Sequence, residues 1–190
     1  MLKPQDILVT LKLVALAGRG EGWTYASLAG SLSMSASEVH ACVARAMRSS
    51  LLGLDPWARY SDRRPSPKMN EIVSLVTVGL KYLLPAEKGG PARGMPTSFG
   101  AEPLKSLLVT VEAACPVWAA NTGGIAGFAL KPIYRTCVEA AAQDVHLYEL
   151  LALADALRDP DGKPRERQLA VQEFERRCQS SSRRGMEVAP

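Results

Sequence analysis

The side chains best suited to acid–base work are Asp144 and His146, close together in one apolar-periodic run. Residues two apart on a helix project about 200° apart, so this pair cannot act on one substrate atom. His146 therefore reads as a surface or interface histidine. Gly89-Gly90 and Gly123-Gly124 are the places where backbone could cradle a phosphate. Neither pair belongs to a Walker A run or opens a helix with Lys-Ser or Lys-Thr, so both read as structural turns. The cysteines Cys42, Cys115, Cys137 and Cys178 lie far apart, with no C-x-x-C pair and only two histidines to assist. Zinc ligands cluster at short spacing, so neither a metal site nor a disulfide framework is expected, only buried thiols in a reducing cytoplasm. No pattern for nucleophilic catalysis or metal-assisted hydrolysis is present, and a non-enzyme without cofactor is expected.

What remains is charge that could meet phosphate. Residues 1–68 carry nine Lys/Arg against five Asp/Glu, whereas residues 69–190 carry fourteen of each. The whole formal excess of +4 in this 190-residue chain thus sits in its first third. That asymmetry is what a phosphate-binding surface needs, although solvated surface charge also produces surpluses of this size. Arg45, Arg48, Arg59, Arg63 and Arg64 are its most concentrated part.

The element that must position them runs from Thr24 to Leu52. Thr24 can cap a first helix, on which Leu28, Ala29 and Leu32 form one apolar face. Ser33-Met34-Ser35 is a turn, and Ser35 with Glu38 makes a capping box for a second helix. That helix should bury Val39, Val43 and Ala46 and leave Ser37, His40, Ala41, Ala44, Arg45 and Arg48 outward. An ordinary helical hairpin in a globular core would show the same pattern. After it, Trp57 and Tyr60 could anchor a hairpin that carries Arg59, Arg63 and Arg64, closed by Pro65 and Pro67.

The run Leu28-Ala29, Leu32, Met34-Ser35 and Glu38-Val39-His40, with Arg45 two turns on, resembles the helix-turn-helix of bacterial winged-helix regulators. Ser61-Asp62-Arg63-Arg64 looks like the Asp-x-Arg wing of the MarR family. The likeness covers about a third of the chain, and Ser33 stands where the family usually has Gly. It implies a regulator that binds double-stranded DNA as a homodimer. By that resemblance Ser35, Ser37, His40 and Ala41 would face base edges, Arg45 and Arg48 phosphates or a guanine edge, and Arg59, Arg63 and Arg64 the backbone or minor groove. MarR proteins carry a long dimerisation helix ahead of the motif; here the seam is expected in later segments.

The chain as a whole is expected to be α+β and mostly helical, with a winged helix-turn-helix over 1–68, a small α/β module over 69–178 and a disordered tail over 179–190. A first helix should run from Pro4 to Ala17, with Ile7, Leu8, Leu11, Val14 and Ala15 packed on the motif. Its apolar stretch, interrupted by Thr10 and Lys12, is too short to span a bilayer, and the protein is expected in the cytoplasm, off the membrane. Helical spacing over Asn70–Leu84 predicts one helix, and Leu104–Cys115 another. Leu84 to Pro96 and Cys115 to Pro132 echo each other as strand, glycine turn and strand. Val138–Leu157 and Arg165–Cys178 should be the final helices, with Asp155 and Arg158 as a structural ion pair. The second expectation for function is a protein-interaction module, such as an antitoxin that binds a partner toxin and its own promoter.

Overall fold

The computed structural model describes residues 1–54, 64–108, 114–120 and 124–187, with side chains described through residue 180. The fold is α+β and mostly helical. It is built around α1 (Pro4–Arg19), on which every residue from Asp6 to Leu16 is buried. One side of α1 meets α3 (Ala36–Arg48), as the apolar spacing predicts. The other meets α8 (Val145–Arg158) and α9 (Pro164–Glu187), so the helix is enclosed all round. Gly20, at φ 69°, ends α1 in the left-handed cap that only glycine adopts without strain.

Helix α2 (Tyr25–Ser31) starts where Thr24 and Ser27 satisfy each other's backbone N–H groups at 3.0 and 2.9 Å. The turn to α3 passes through Ser33 at φ 51°, a left-handed conformation. That geometry is the physical reason glycine suits this position. Ser35 Oγ accepts the Glu38 N–H at 3.2 Å, but the Glu38 carboxylate turns away to accept from Tyr134 Oη at 2.6 Å. The expected capping box is therefore half formed, because a tertiary partner claims its acid. After α3, β1 (Leu52–Gly53) pairs antiparallel with β2 (Ser66–Pro67) in a two-stranded hairpin.

The predicted Asn70–Leu84 helix is one rod in three parts: α4 (Met69–Ser74), a π-helical stretch (Leu75–Gly79) and α5 (Leu80–Leu83). Ile72, Val76 and Leu80 are buried on it, whereas Leu83 faces out. Beyond it, β3 (Lys88–Pro96), β4 (Cys115–Ala119) and β5 (Ile125–Leu130) close into a three-stranded barrel. Strand β3 runs antiparallel to both others, which pair in parallel. This corrects two expectations. Gly89-Gly90 lies within β3, where the register against β5 shifts between Lys88 and Pro91, rather than at a turn between two strands, so the two echoing segments do not share a fold. The helix predicted over Leu104–Cys115 is a single turn, α6 (Leu104–Leu107), because the barrel takes Cys115 to Ala119. Glycine is required where strands nearly touch: a Cβ on Gly94 would sit 1.9 Å from the Trp118 carbonyl oxygen, and one on Gly127 2.0 Å from that of Cys115.

The predicted Val138–Leu157 helix breaks into α7 (Cys137–Gln143) and α8. Asp144 leaves helical geometry at φ −145° and accepts the N–H groups of His146 and Leu147, each at 3.1 Å. A short acidic side chain favours such a cap over a helix interior. Helix α9 continues to Glu187, past the expected end of order at Gln179. Once a packed helix exists, each added residue brings a hydrogen bond, so apolar period is not needed for extension.

One hydrophobic core runs through both segments, joining Leu8, Leu28 and Val39 to Ile72, Trp118, Leu151 and Phe174. A buried carboxylate fastens the barrel onto α8: Asp155 accepts from Thr97 Oγ1 and Trp118 Nε1, both at 2.6 Å, and pairs with Arg158 Nε at 2.8 Å. Burial raises the Asp155 carboxyl above its ordinary range, opposed by Arg158 and the donated hydrogen bonds. No helix among the described residues is long and apolar enough to cross a membrane.

Candidate nucleic-acid interface

Helix α3 buries Val39, Cys42, Val43 and Ala46 against the core. Its opposite stripe, Ser37, His40, Ala41, Ala44 and Arg48, is exposed, as the helical period requires, and Ser35 is exposed at its start. Ser35 and Ser37 share a hydroxyl–hydroxyl hydrogen bond at 3.2 Å. The His40 ring stacks on Tyr25 of α2, with centroids 3.4 Å apart and planes at 12°. Tyr25 in turn stands edge-on to buried Trp23 at 5.2 Å. The sequence marks His40 as outward; it does not reveal that an aromatic neighbour holds the imidazole plane.

The arginines divide sharply. Arg45 does not face outward with the stripe: its Nε and Nη2 grip both oxygens of Asp6, the shortest contact being 2.6 Å. Asp6 is fully buried, so a carboxylate inside the core takes this guanidinium out of the phosphate-facing set. The expectation for Arg45 is corrected accordingly. Arg48 is exposed one turn further on, without an ion pair among the described residues. Arg64 is also exposed, and one of its nitrogens donates to the Trp23 carbonyl, tying the hairpin's return to the turn before α2. Arg59 and Arg63 lie outside the described residues. Exposed Lys3 and Lys68 add charge that the motif-based assignment omits.

The charge surplus of the first 68 residues is also redistributed by folding. Lys12 and Arg19 both pair with Asp144 from the other half of the chain, at 2.7 and 2.9 Å. Although burial pushes the Asp144 carboxyl up, the hydrogen bonds from Lys12 and Arg19 prevail and hold it at about 2. Among the described residues of this first segment, the cations left to an external anion are Lys3, Arg48, Arg64 and Lys68. Lys12 within an apolar helix was the sequence signal that a buried acid must lie opposite; nothing in the sequence named Asp144 as that acid.

The thiols offer little chemistry. Cys42, Cys137 and Cys178 are buried thiols, each pushed up to about 12 by burial, and the half-buried Cys115 thiol is also raised. Among the described residues no group of three or more His, Cys, Asp or Glu is arranged to hold a metal ion. Compared with protein-family models, curated proteins and solved structures, the chain finds no match in any of the three.

Proposed function

We propose that the chain is a DNA-binding regulator of the winged helix-turn-helix class, with α2 and α3 as the helix pair and the β1–β2 hairpin as the root of the wing. One observation supports this above the others. Helix α3 is held by its inward face and leaves a small polar face, ending in Arg48, free beside the hairpin. Side chains as short as Ser37, Ala41 and Ala44 let a helix lie close to base edges, where Ser35, Ser37 and His40 supply hydrogen-bonding groups. Arg48 and Arg64 suit phosphates, as do Lys3 and Lys68, so backbone contacts supply most of the affinity. A single helix of this kind reads few base pairs, and binding to promoter DNA as a homodimer follows from that need.

The test is anisotropy of a labelled duplex pool titrated with the full chain at several salt concentrations. Binding should weaken steeply with salt, and Arg48→Ala and Arg64→Ala should each lower the slope of log affinity against log salt by about 1. Absence of any salt-sensitive duplex binding overturns the reading.

A separate observation favours the protein-interaction alternative, of which an antitoxin is one form. Val78, Tyr82 and Leu83 are 63%, 75% and 56% exposed on the α4–α5 rod, Val78 and Tyr82 about one turn apart. Such a patch is the usual mark of a protein contact. A stoichiometric protein that co-purifies with the wild type and is lost from Tyr82→Glu would favour this second reading.

A further inference from the structure

A cleft of about 510 Å³ opens between the end of α1, the start of α2 and the junction of α7 with α8. Its centre is a chain of charges. Lys12 Nζ and Arg19 Nη1 hold Asp144 at 2.7 and 2.9 Å, and both Lys12 and Asp144 are almost wholly buried. Arg19 Nη2 donates to Asp144 as well, at 3.2 Å, so the Nη1/Nη2 edge of the guanidinium is fixed. The other side, Nε and Nη2, is gripped in two-point fashion by Glu21 at 2.7 and 3.1 Å. Glu21 is a different kind of partner from Asp144. Its side chain is 52% exposed, and it sits between Gly20 and Gly22 on the turn that leaves α1.

Buried Trp23 and Leu28 line the cleft on the side of α2, and exposed Val145 and His146 line it on the side of α8. The His146 side chain makes no hydrogen bond among the described residues. The space has the size of a small-ligand site, with an apolar portion of Leu16, Trp23, Leu28 and Val145 beside polar Ser27, Ser31 and Gln143, and an oriented guanidinium of the sort that fixes a carboxylate.

We propose that this cleft binds a small organic monocarboxylate with an apolar body, whose carboxylate takes the Nε/Nη2 edge of Arg19 in place of Glu21. At the Arg19 edge one carboxylate replaces another, and Glu21, whose side chain is already half exposed, turns into water, where its charge is solvated. Arg19 needs no reorganisation, since Asp144 holds it from behind. The planar guanidinium fork matches a carboxylate by geometry as well as charge, which an amide cannot do. An occupant would touch α2 on one wall and the start of α8 on the other, linking the helix pair to the C-terminal helices.

The test is calorimetric titration of the full chain with 3-phenylpropionate, with 3-phenylpropionamide and acetate as comparisons. Binding is the readout, so the result is independent of whether the chain binds DNA. The acid should bind the wild type at least about tenfold more tightly than either comparison. Glu21→Gln, at an exposed position that leaves the buried pair intact, should bind the acid about tenfold more tightly than wild type. Arg19→Gln should lose binding while keeping the wild-type circular dichroism spectrum. The proposal is overturned if the amide or acetate binds as well as the acid, if Glu21→Gln binds no more tightly, or if neither protein binds the acid at millimolar concentration.

Discussion

Arg45 shows how residue type and spacing can place a side chain correctly on a helix and still misjudge its partner. On α3 it stands between the exposed stripe and the buried one, within reach of either. A buried carboxylate decides the matter, because an unpaired ion in the core costs far more than a lost surface contact. The expected outcome for Arg45→Ala is therefore a stability loss of about 3 kcal/mol by urea unfolding, since buried Asp6 would keep the Lys3 N–H but lose its counter-ion. Asp6→Leu combined with Arg45→Met should recover most of that loss, because it removes both charges. Arg48→Ala, by contrast, should leave the unfolding midpoint within about 0.5 kcal/mol of wild type, as exposed positions without partners do. The candidate recognition stripe itself was legible, since Ser37, His40, Ala41, Ala44 and Arg48 follow from helical period alone. The Tyr25–His40 stack was not, because it joins two helices across a turn.

At the scale of elements, local signals performed well where they close over a few residues. The Thr24 cap, the Ser33 turn and the Pro4 start all act within one helical turn, and each is found where its residues stand, while α1 runs two residues past Ala17 to the Gly20 cap. Elements whose identity depends on a distant partner were misjudged. Gly89 and Gly90 look like a turn, yet they lie in β3, at an irregularity between Lys88 and Pro91 that β5 pairs on either side. The closeness of those strands gives a sharp expectation. Gly94→Ala should prevent proper barrel closure, costing about 3 kcal/mol or more and shifting Trp118 fluorescence, because its Cβ would overlap the Trp118 carbonyl oxygen at 1.9 Å. Gly90→Ala, with open space around its position, should be tolerated by the same assay.

Across the whole molecule, carboxylates stitch the two segments together through hydrogen bonds and ion pairs. Glu38 on α3 accepts from Tyr134, and Lys12 and Arg19 of α1 hold Asp144 at the head of α8. The Asp144 carboxyl is depressed to about 2, so its stabilising effect is fully present above the ordinary carboxylate range and is lost as pH falls through its folded value. Between about pH 4 and pH 2, unfolding measurements should show about 2 kcal/mol of stability disappearing through this group. Asp144→Asn should remove that share of the acid dependence and be less stable than wild type at neutral pH. Tyr134→Phe should cost about 1 kcal/mol and speed amide exchange in the first turn of α3, because it frees Glu38 from the C-terminal segment.

The amino-acid sequence alone determined the α+β, mostly helical class, the α1–α2–α3 order, the outward face of α3 and the Asp155–Arg158 pair. Each rests on periods, caps or i,i+3 spacing, which operate within a few residues of chain. Tertiary structure decided that α1 is enclosed on all sides, that three strands close a barrel, and that Asp6 and Asp144 claim Arg45, Lys12 and Arg19. Those outcomes depend on which distant group shares a low-dielectric interior, where an ion must find its opposite or be excluded. Local spacing carries no record of that choice, because the partners lie up to 132 residues apart in the chain.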